Sequence, residues 1–264
     1  MQSTKNVLYE DIDYIYKSLS KEVDFLSGRK ILLTGGAGFL GYEMSHFLSK
    51  IGDGDGKNPI ELTIFDNLSR GKKIWLKVLS KNKNVNLINH DITKPLPSNM
   101  PEFDYIIHAA SIASPIFYRK FPIETIDANV NGLRYLLDYA KKRSKTDNPI
   151  LGMLYFSTSE IYGDPTPDAI PTSESYRGIV SCTGPRACYD ESKRLGETLC
   201  VNYSKVYNLP IKIARPFNNY GPGLSINDRR IFPDLAKNIF SNKNLVLLSD
   251  GKATRTFCYI ADAV

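Results

Sequence analysis

The sequence predicts an α/β fold built on a doubly wound parallel sheet, and three observations carry that prediction. From residue 29 onward, short apolar runs alternate with amphipathic helical stretches. The first run passes directly into a glycine-rich turn that opens a helix, and the second ends on an acidic residue, Asp66.

The elements follow in order. Ile12, Ile15, Tyr16, Leu19, Val23 and Leu26 recur at helical spacing among charged residues, so residues 1–28 are read as an amphipathic helical extension whose ordinary role is packing. Buried strands are expected at Lys30 to Thr34, Ile60 to Phe65, Val85 to His90, Tyr105 to Ala109, Ile150 to Ser157 and Ile211 to Ala214. Amphipathic helices separate them, Ile123 to Lys142 being the longest clear case. The polar segment Gly52 to Pro59 reads as a loop. These boundaries place a dinucleotide-binding domain at residues 29–215 and a small C-terminal lobe at 216–264.

Composition narrows the class. The 264 residues are 42% hydrophobic and 23% charged, enough for a globular core. No run approaches the roughly 18–20 apolar residues of a membrane span, and Met1 to Asn6 lead into no signal core, so a cytoplasmic protein without a membrane partner is expected. Cys182, Cys188, Cys200 and Cys258, with His46, His90 and His108, show no metal-ligand spacing, and no metal is expected. The net charge of +6 is scattered rather than blocked, which argues against nucleic acid and suits an anionic small substrate.

The glycine turn runs Gly35-Gly36-Ala37-Gly38-Phe39-Leu40-Gly41. Gly35 permits the tight turn, Gly38 lets backbone approach a pyrophosphate, and Gly41 lets the helix close on the strand, while free amides at the helix start face the anion. This is a variant of the dinucleotide fingerprint of a Rossmann fold. Asp66 can accept both adenosine ribose hydroxyls and would repel a 2'-phosphate, which favours NAD; the basic Arg70, Lys72 and Lys73 nearby keep a phosphate open. Asn67, Asp91, Ile92, Ala109, Ala110 and Ser111, at strand ends, complete the expected cofactor set, with a plain helix cap as the alternative for Asp91.

Tyr189 and Lys193 are spaced i, i+4 on a predicted helix and share one face. An ammonium beside a phenol lowers its pKa from about 10 toward neutrality and makes it a base for a sugar hydroxyl. Taken alone the spacing is weak, since surface pairs of this kind arise by chance. Its position after a strand ending in Thr158-Ser159-Glu160 gives it weight, because Thr158 supplies a further hydroxyl for the same oxygen.

Four ordered runs then carry a family resemblance: HAASIASPIFY from His108, STSEIYGDP from Ser157, TGPRACYDESKRLGET from Thr183 and RPFNNYGPG from Arg215. Residues 29–264 resemble the extended short-chain dehydrogenase (NAD-dependent epimerase/dehydratase) family, and most closely its UDP-glucuronate decarboxylases. The resemblance implies a nucleoside-diphosphate sugar substrate, NAD as recycled cofactor and a homodimer built on the helices Ile123 to Lys142 and Arg186 to Val206. It makes Tyr189 the base at C4, Lys193 its partner on the nicotinamide ribose, and Thr158 the ligand of O4. Ser159 and Glu160 would act near C5 and the departing carboxylate, with Arg255 assisting there. Asn218 and Arg230 would hold the diphosphate, and Ser114 and Tyr118 would line the sugar pocket. Dehydratases of the family usually carry Asp-Glu where this chain has Ser159-Glu160.

Departures bear on the substrate. The usual YWG-x-VNP reads Tyr176-Arg177-Gly178-Ile179-Val180-Ser181, DGR reads Asp228-Arg229-Arg230, and Ile112 replaces a proline. An arginine added at 177 suits a second acidic group or a different sugar acid. Family members continue some tens of residues past Tyr259-Ile260-Ala261-Asp262, so the lobe is expected to be incomplete. A 4,6-dehydratase or 4-epimerase and a non-catalytic NAD-binding protein are the alternatives.

Overall fold

The structure is a computed structural model describing residues 4–71, 73–246, 250–252 and 254–264. Lys72, of the basic cluster after Asp66, lies outside the described residues.

Two helices, α1 (Thr4–Ser18) and α2 (Ser20–Leu26), precede the sheet. The alternation that follows comprises β1 (Lys30–Thr34), α3 (Phe39–Lys50), β2 (Glu61–Asp66), α4 (Ile74–Leu79), β3 (Val85–Asn89) and β4 (Tyr105–His108). The chain continues through α5 (Pro115–Lys120), α6 (Pro122–Asp127), α7 (Leu133–Arg143), β5 (Gly152–Phe156), α8 (Ala187–Tyr207) and β6 (Ile211–Ala214). The order β3-β2-β1-β4-β5-β6 is parallel throughout and doubly wound, as the sequence predicts. A separate parallel pair joins β7 (Asn218–Tyr220) to β8 (Phe257–Tyr259), accompanied by α9 (Ile231–Phe240) and α10 (Ile260–Ala263).

The central strands are buried on both faces. Ile31, Leu33, Leu62 and Ile64 sit in one apolar cluster beneath α3, and Leu32, Phe65 and Ile106 in the other with α7 and α8. Fully burying such side chains contributes about 1.5–3 kcal/mol each. The single helix expected from Ile123 to Lys142 is instead α6, a π-helical turn at Ala128–Gly132 and α7. The turn presents the buried Asn129 amide to Ser192 Oγ at 2.8 Å, locking this helix to α8.

The apolar stripe of α1 (Leu8, Ile12, Ile15) is buried in the first cluster with Phe47 of α3 and Ala261 of α10. Under it lies Glu43 of α3, fully buried with neither carboxylate oxygen partnered among the described residues, and burial pushes its pKa up to about 7. Asp11 faces it from α1 and accepts from Tyr259 Oη at 2.7 Å. The folded state holds the Glu43 proton more tightly than the unfolded chain, where the carboxyl titrates near 4.5. Its stabilisation is therefore full below that pH and is lost as pH rises through 7. Glu43→Gln should match the wild type in acid and lead by about 3 kcal/mol, roughly 5–10 °C in Tm, at pH 8. Parallel Tm profiles in thermal melts from pH 5 to 8 would contradict this.

Candidate functional site

The cofactor cradle forms where β1 ends. Gly35 takes φ +74°, and a Cβ there would stand 2.6 Å from the Ala110 backbone, so the loop after β4 closes directly on the glycine turn. At Gly41 a Cβ would meet Gly35 O at 2.5 Å, and only hydrogen lets α3 sit so close behind the turn. Asp66, at the C-terminal end of β2, accepts from Ala37 N at 3.0 Å and Leu68 N at 2.8 Å, and burial raises its pKa. Asn67 reaches toward Asp91, which also caps its own turn through Thr93 N and Oγ1. Ala109 and Ala110 lean on Thr34, and the buried Ser111 Oγ has no partner among the described residues. A backbone cradle with no room for Cβ, an acidic residue at the second strand and a free hydroxyl at the fourth fit a dinucleotide. Leu40 packs into the apolar cluster behind the turn. Ile92 does the same on the other face, with Gly132 against it, so its side chain serves the core. Arg70 lies over the Phe117 ring at 4.9 Å.

The side chains expected to be reactive lie on α8 and after β5. The α8 helix carries Tyr189 and Lys193 on its sheet-facing side, and both are buried. Thr158, two residues beyond β5, bonds the Tyr189 hydroxyl through its side chain. Tyr118 of α5 stacks on Tyr189 with centroids 5.1 Å apart and planes 9° apart. The expected depression of the phenol pKa is absent here. Burial pushes Tyr189 up to about 12, against the pull of Thr158 and the more distant Arg230. Lys193 points instead at Phe156 O, 2.6 Å away, and over the Tyr155 ring, and burial pushes it down to about 7. Desolvation outweighs helical adjacency because both groups are sealed between α8 and β5.

Ser159 and Glu160 occupy a short 3-10 turn at Ser159–Tyr162, capped by Thr158 Oγ1 accepting from Glu160 N. The Glu160 carboxylate is held by Arg186, whose Nε also lies 3.3 Å from Asp190 Oδ2. Sequence reasoning missed Arg186. Its signal was present, since it precedes Tyr189 by three residues and Asp190 by four and so shares their face. Arg215 anchors the far end of the same turn, forked onto Glu197 at 2.9 and 2.7 Å and donating to Tyr162 Oη at 2.9 Å.

The C-terminal segment forms a cleft of about 340 Å³ lined by Asn218, Arg229, Arg230 and Arg255 beside Pro115. Three residues predicted to bind substrate thus meet. Asn218 is fixed by donating to Thr256 O at 3.0 Å. Arg230 pairs with the buried Asp228 and lies 5.8 Å from the Phe39 ring, which ties the cleft to the glycine turn. Ser114 stands at the N-cap position of α5 without bonding it through its side chain, and its Oγ donates instead to Asp228 O at 3.5 Å. Arg255 donates to Thr254 O, and no described contact joins it to Glu160. Arg177 is exposed, its carbonyl held by Arg194, and it does not line this cleft. Among the described residues no helix is long and apolar enough to cross a membrane.

A doubly wound parallel sheet with a glycine cradle, and a buried tyrosine and lysine one turn apart on α8, define a dinucleotide-binding protein of the short-chain dehydrogenase type. The chain belongs to the NAD dependent epimerase/dehydratase family, whose profile matches residues 31–264. It is 41% identical over 240 residues to UDP-glucuronic acid decarboxylase 6 of Arabidopsis thaliana, covering 91% of this chain and 65% of that one. UDP-glucuronic acid decarboxylase 1 of Xenopus tropicalis is 38% identical over 264 residues, 97% of this chain and 58% of the relative. The chain therefore spans under two thirds of the length of these relatives. Among solved structures it resembles a UDP-N-acetylglucosamine 4-epimerase from Methanobrevibacter ruminantium in complex with UDP-N-acetylmuramic acid, at TM-score 0.74 and 26% identity, covering 89% of this chain and 70% of that one. It also resembles a UDP-glucuronic acid 4-epimerase from Bacillus cereus in complex with UDP-glucuronic acid and NAD, at TM-score 0.67, 26% identity and the same coverage.

Proposed function

We propose that the protein is an NAD-dependent carboxy-lyase that converts a UDP-uronic acid of the glucuronate type to a UDP-pentose. The observation that carries this reading is Glu160 with Ser159, set next to Thr158 and Tyr189 and gripped by Arg186, in a chain 41% identical to a UDP-glucuronic acid decarboxylase. Gly35, Gly38 and Gly41 would cradle the pyrophosphate of NAD, Asp66 would take its adenosine ribose, and Lys193 its nicotinamide ribose. Bound NAD supplies a hydride acceptor at C4 and gives the hydride back, so the cycle is redox-neutral.

The residues do the rest. Tyr189, as phenolate, takes the O4 proton while Thr158 fixes that oxygen. The resulting C4 ketone lies β to the C6 carboxylate, so the C5–C6 bond breaks, carbon dioxide leaves and the electron pair passes into the enolate. C5 then takes a proton from the side on which Glu160 and Ser159 stand, and Tyr189 returns its proton to O4. Asn218, Arg230 and Arg255 would hold the diphosphate and the sugar's acidic end. The sheet of residues 29–215 would act as the cofactor domain and 216–264 as the substrate lobe. We further propose a homodimer through α6 and α8, whose outer faces expose Ile123, Ile126, Leu195 and Val201.

A 4-epimerase or 4,6-dehydratase would share the oxidation at C4 and part company afterwards. The test is one preparation read in two ways. Incubation with NAD and UDP-glucuronate should release carbon dioxide and give a sugar one carbon shorter, with sedimentation at twice the chain mass. A six-carbon product would sink the decarboxylase, and a monomer mass the dimer.

A further inference from the structure

We propose that Arg229 is an additional anion-binding residue of this cleft, contacting the diphosphate of the nucleotide sugar; the inference rests on the nucleotide-sugar reading above. Two independent observations carry it. First, Arg229 adopts φ +64°, in the left-handed region that suits glycine and that a long side chain rarely enters. Glycine enters this region without strain, so the backbone turn itself does not require arginine. A non-glycine residue held there is strained, and such strain concentrates where a side chain is needed for binding. Second, the Arg229 side chain lines the cleft along with Arg230 and Arg255.

The three guanidinium groups are not equivalent. Arg230 is neutralised by the buried Asp228 at its Nε, and Arg255 is turned onto the Thr254 carbonyl. No acidic group of the described residues pairs with Arg229 or Arg255, and of these two it is Arg229 whose guanidinium is not turned onto a backbone carbonyl of the described residues. The loop that carries it is held at both sides: Asp228 N donates to Ser225 O at 3.0 Å, and Asp234 N donates back to Arg230 O at 3.0 Å as α9 begins. Asp228 O also accepts from Ser114 Oγ. The turn therefore aims Arg229 from a fixed base rather than from a loose strap. A planar guanidinium with free donors fits a pair of phosphate oxygens, and its contribution grows with the number of phosphates it can bridge.

The substitution Arg229→Gly separates strain from binding, because both roles allow a kept or raised Tm and only the binding role predicts a loss of affinity. If Arg229 serves only the fold, glycine should relieve the turn and leave ligand affinity alone. If Arg229 binds the diphosphate, glycine should keep or raise Tm while weakening UDP binding about tenfold or more, the size expected for a lost charge-assisted contact. Arg229→Gln keeps the strained backbone and removes the charge, so it should lose UDP affinity to a similar degree. Calorimetric titration with UDP and with UMP, each at 50 and 200 mM salt, is the measurement. The loss should be larger for UDP than for UMP, and the wild type should show the steeper salt dependence. UDP affinity within twofold of wild type in Arg229→Gly overturns the inference, as does a loss confined to Arg229→Gly with Arg229→Gln unaffected, which would assign the effect to backbone shape. Both results leave the nucleotide-sugar reading standing. A wild type that binds neither UDP nor UDP-glucuronate overturns that reading and this inference together.

Discussion

Tyr189→Phe should reduce turnover by about 10²–10⁴-fold or more, because the variant keeps the ring and loses the hydroxyl proposed as the base at C4. The fold should survive. The ring stacks on Tyr118 and the hydroxyl meets Thr158, so its removal takes away one hydrogen bond and no packing. NAD should therefore titrate with unchanged affinity while single-turnover reduction of the cofactor by UDP-glucuronate disappears. The pH profile of the wild type sharpens this expectation. The phenol stands near 12 without substrate, and Lys193 near 7, so the active ionisation needs the ammonium turned from Phe156 O toward the phenol. A Tyr189→Phe enzyme that still reduces NAD at more than a tenth of the wild-type rate would remove Tyr189 from the mechanism.

Gly35→Val should cost at least 100-fold in NAD affinity. Two penalties coincide at this position. Any Cβ at φ +74° is strained, and this one would overlap the Ala110 backbone at 2.6 Å, in the wall of the cradle. Backbone cannot step aside as a flexible side chain can, so either the turn or the loop after β4 must shift. We expect a stability loss of about 2–4 kcal/mol alongside the lost affinity. Thermal melts and a fluorescence titration with NAD measure the two separately. Binding within threefold of the wild type would show that the cradle does not hold the pyrophosphate.

The parts of the molecule that follow from local periodicity were legible in the sequence, and β1 and β6 fall at the expected bounds. Pattern alone could not break the helix at Ala128–Gly132, because the π-helical turn answers to Ser192, which lies 63 positions further on. The placing of Thr158, Tyr189 and Lys193 at one point was readable, because strand ends and helical spacing fix it. Their ionisation was not. Spacing places an ammonium near a phenol, yet burial depends on what covers them, and here the cover pushes the phenol upward rather than downward. The charge partner of Glu160 escaped notice because Arg186 sits on another element, 26 residues away. Arg229 reads in the sequence as a departure from pattern, and its left-handed backbone is visible only in the structure.

The hydrogen bond between Asp11 and Tyr259 spans 248 positions of chain. A closure that long carries a large entropic cost, met only once the intervening sheet has already drawn its partners together. Tyr14 of the same helix donates to Asp262 at 3.1 Å. The helix α1, packed on α3 and bonded at two points to β8 and α10, thus serves as a latch that holds the segment after residue 216 against the sheet.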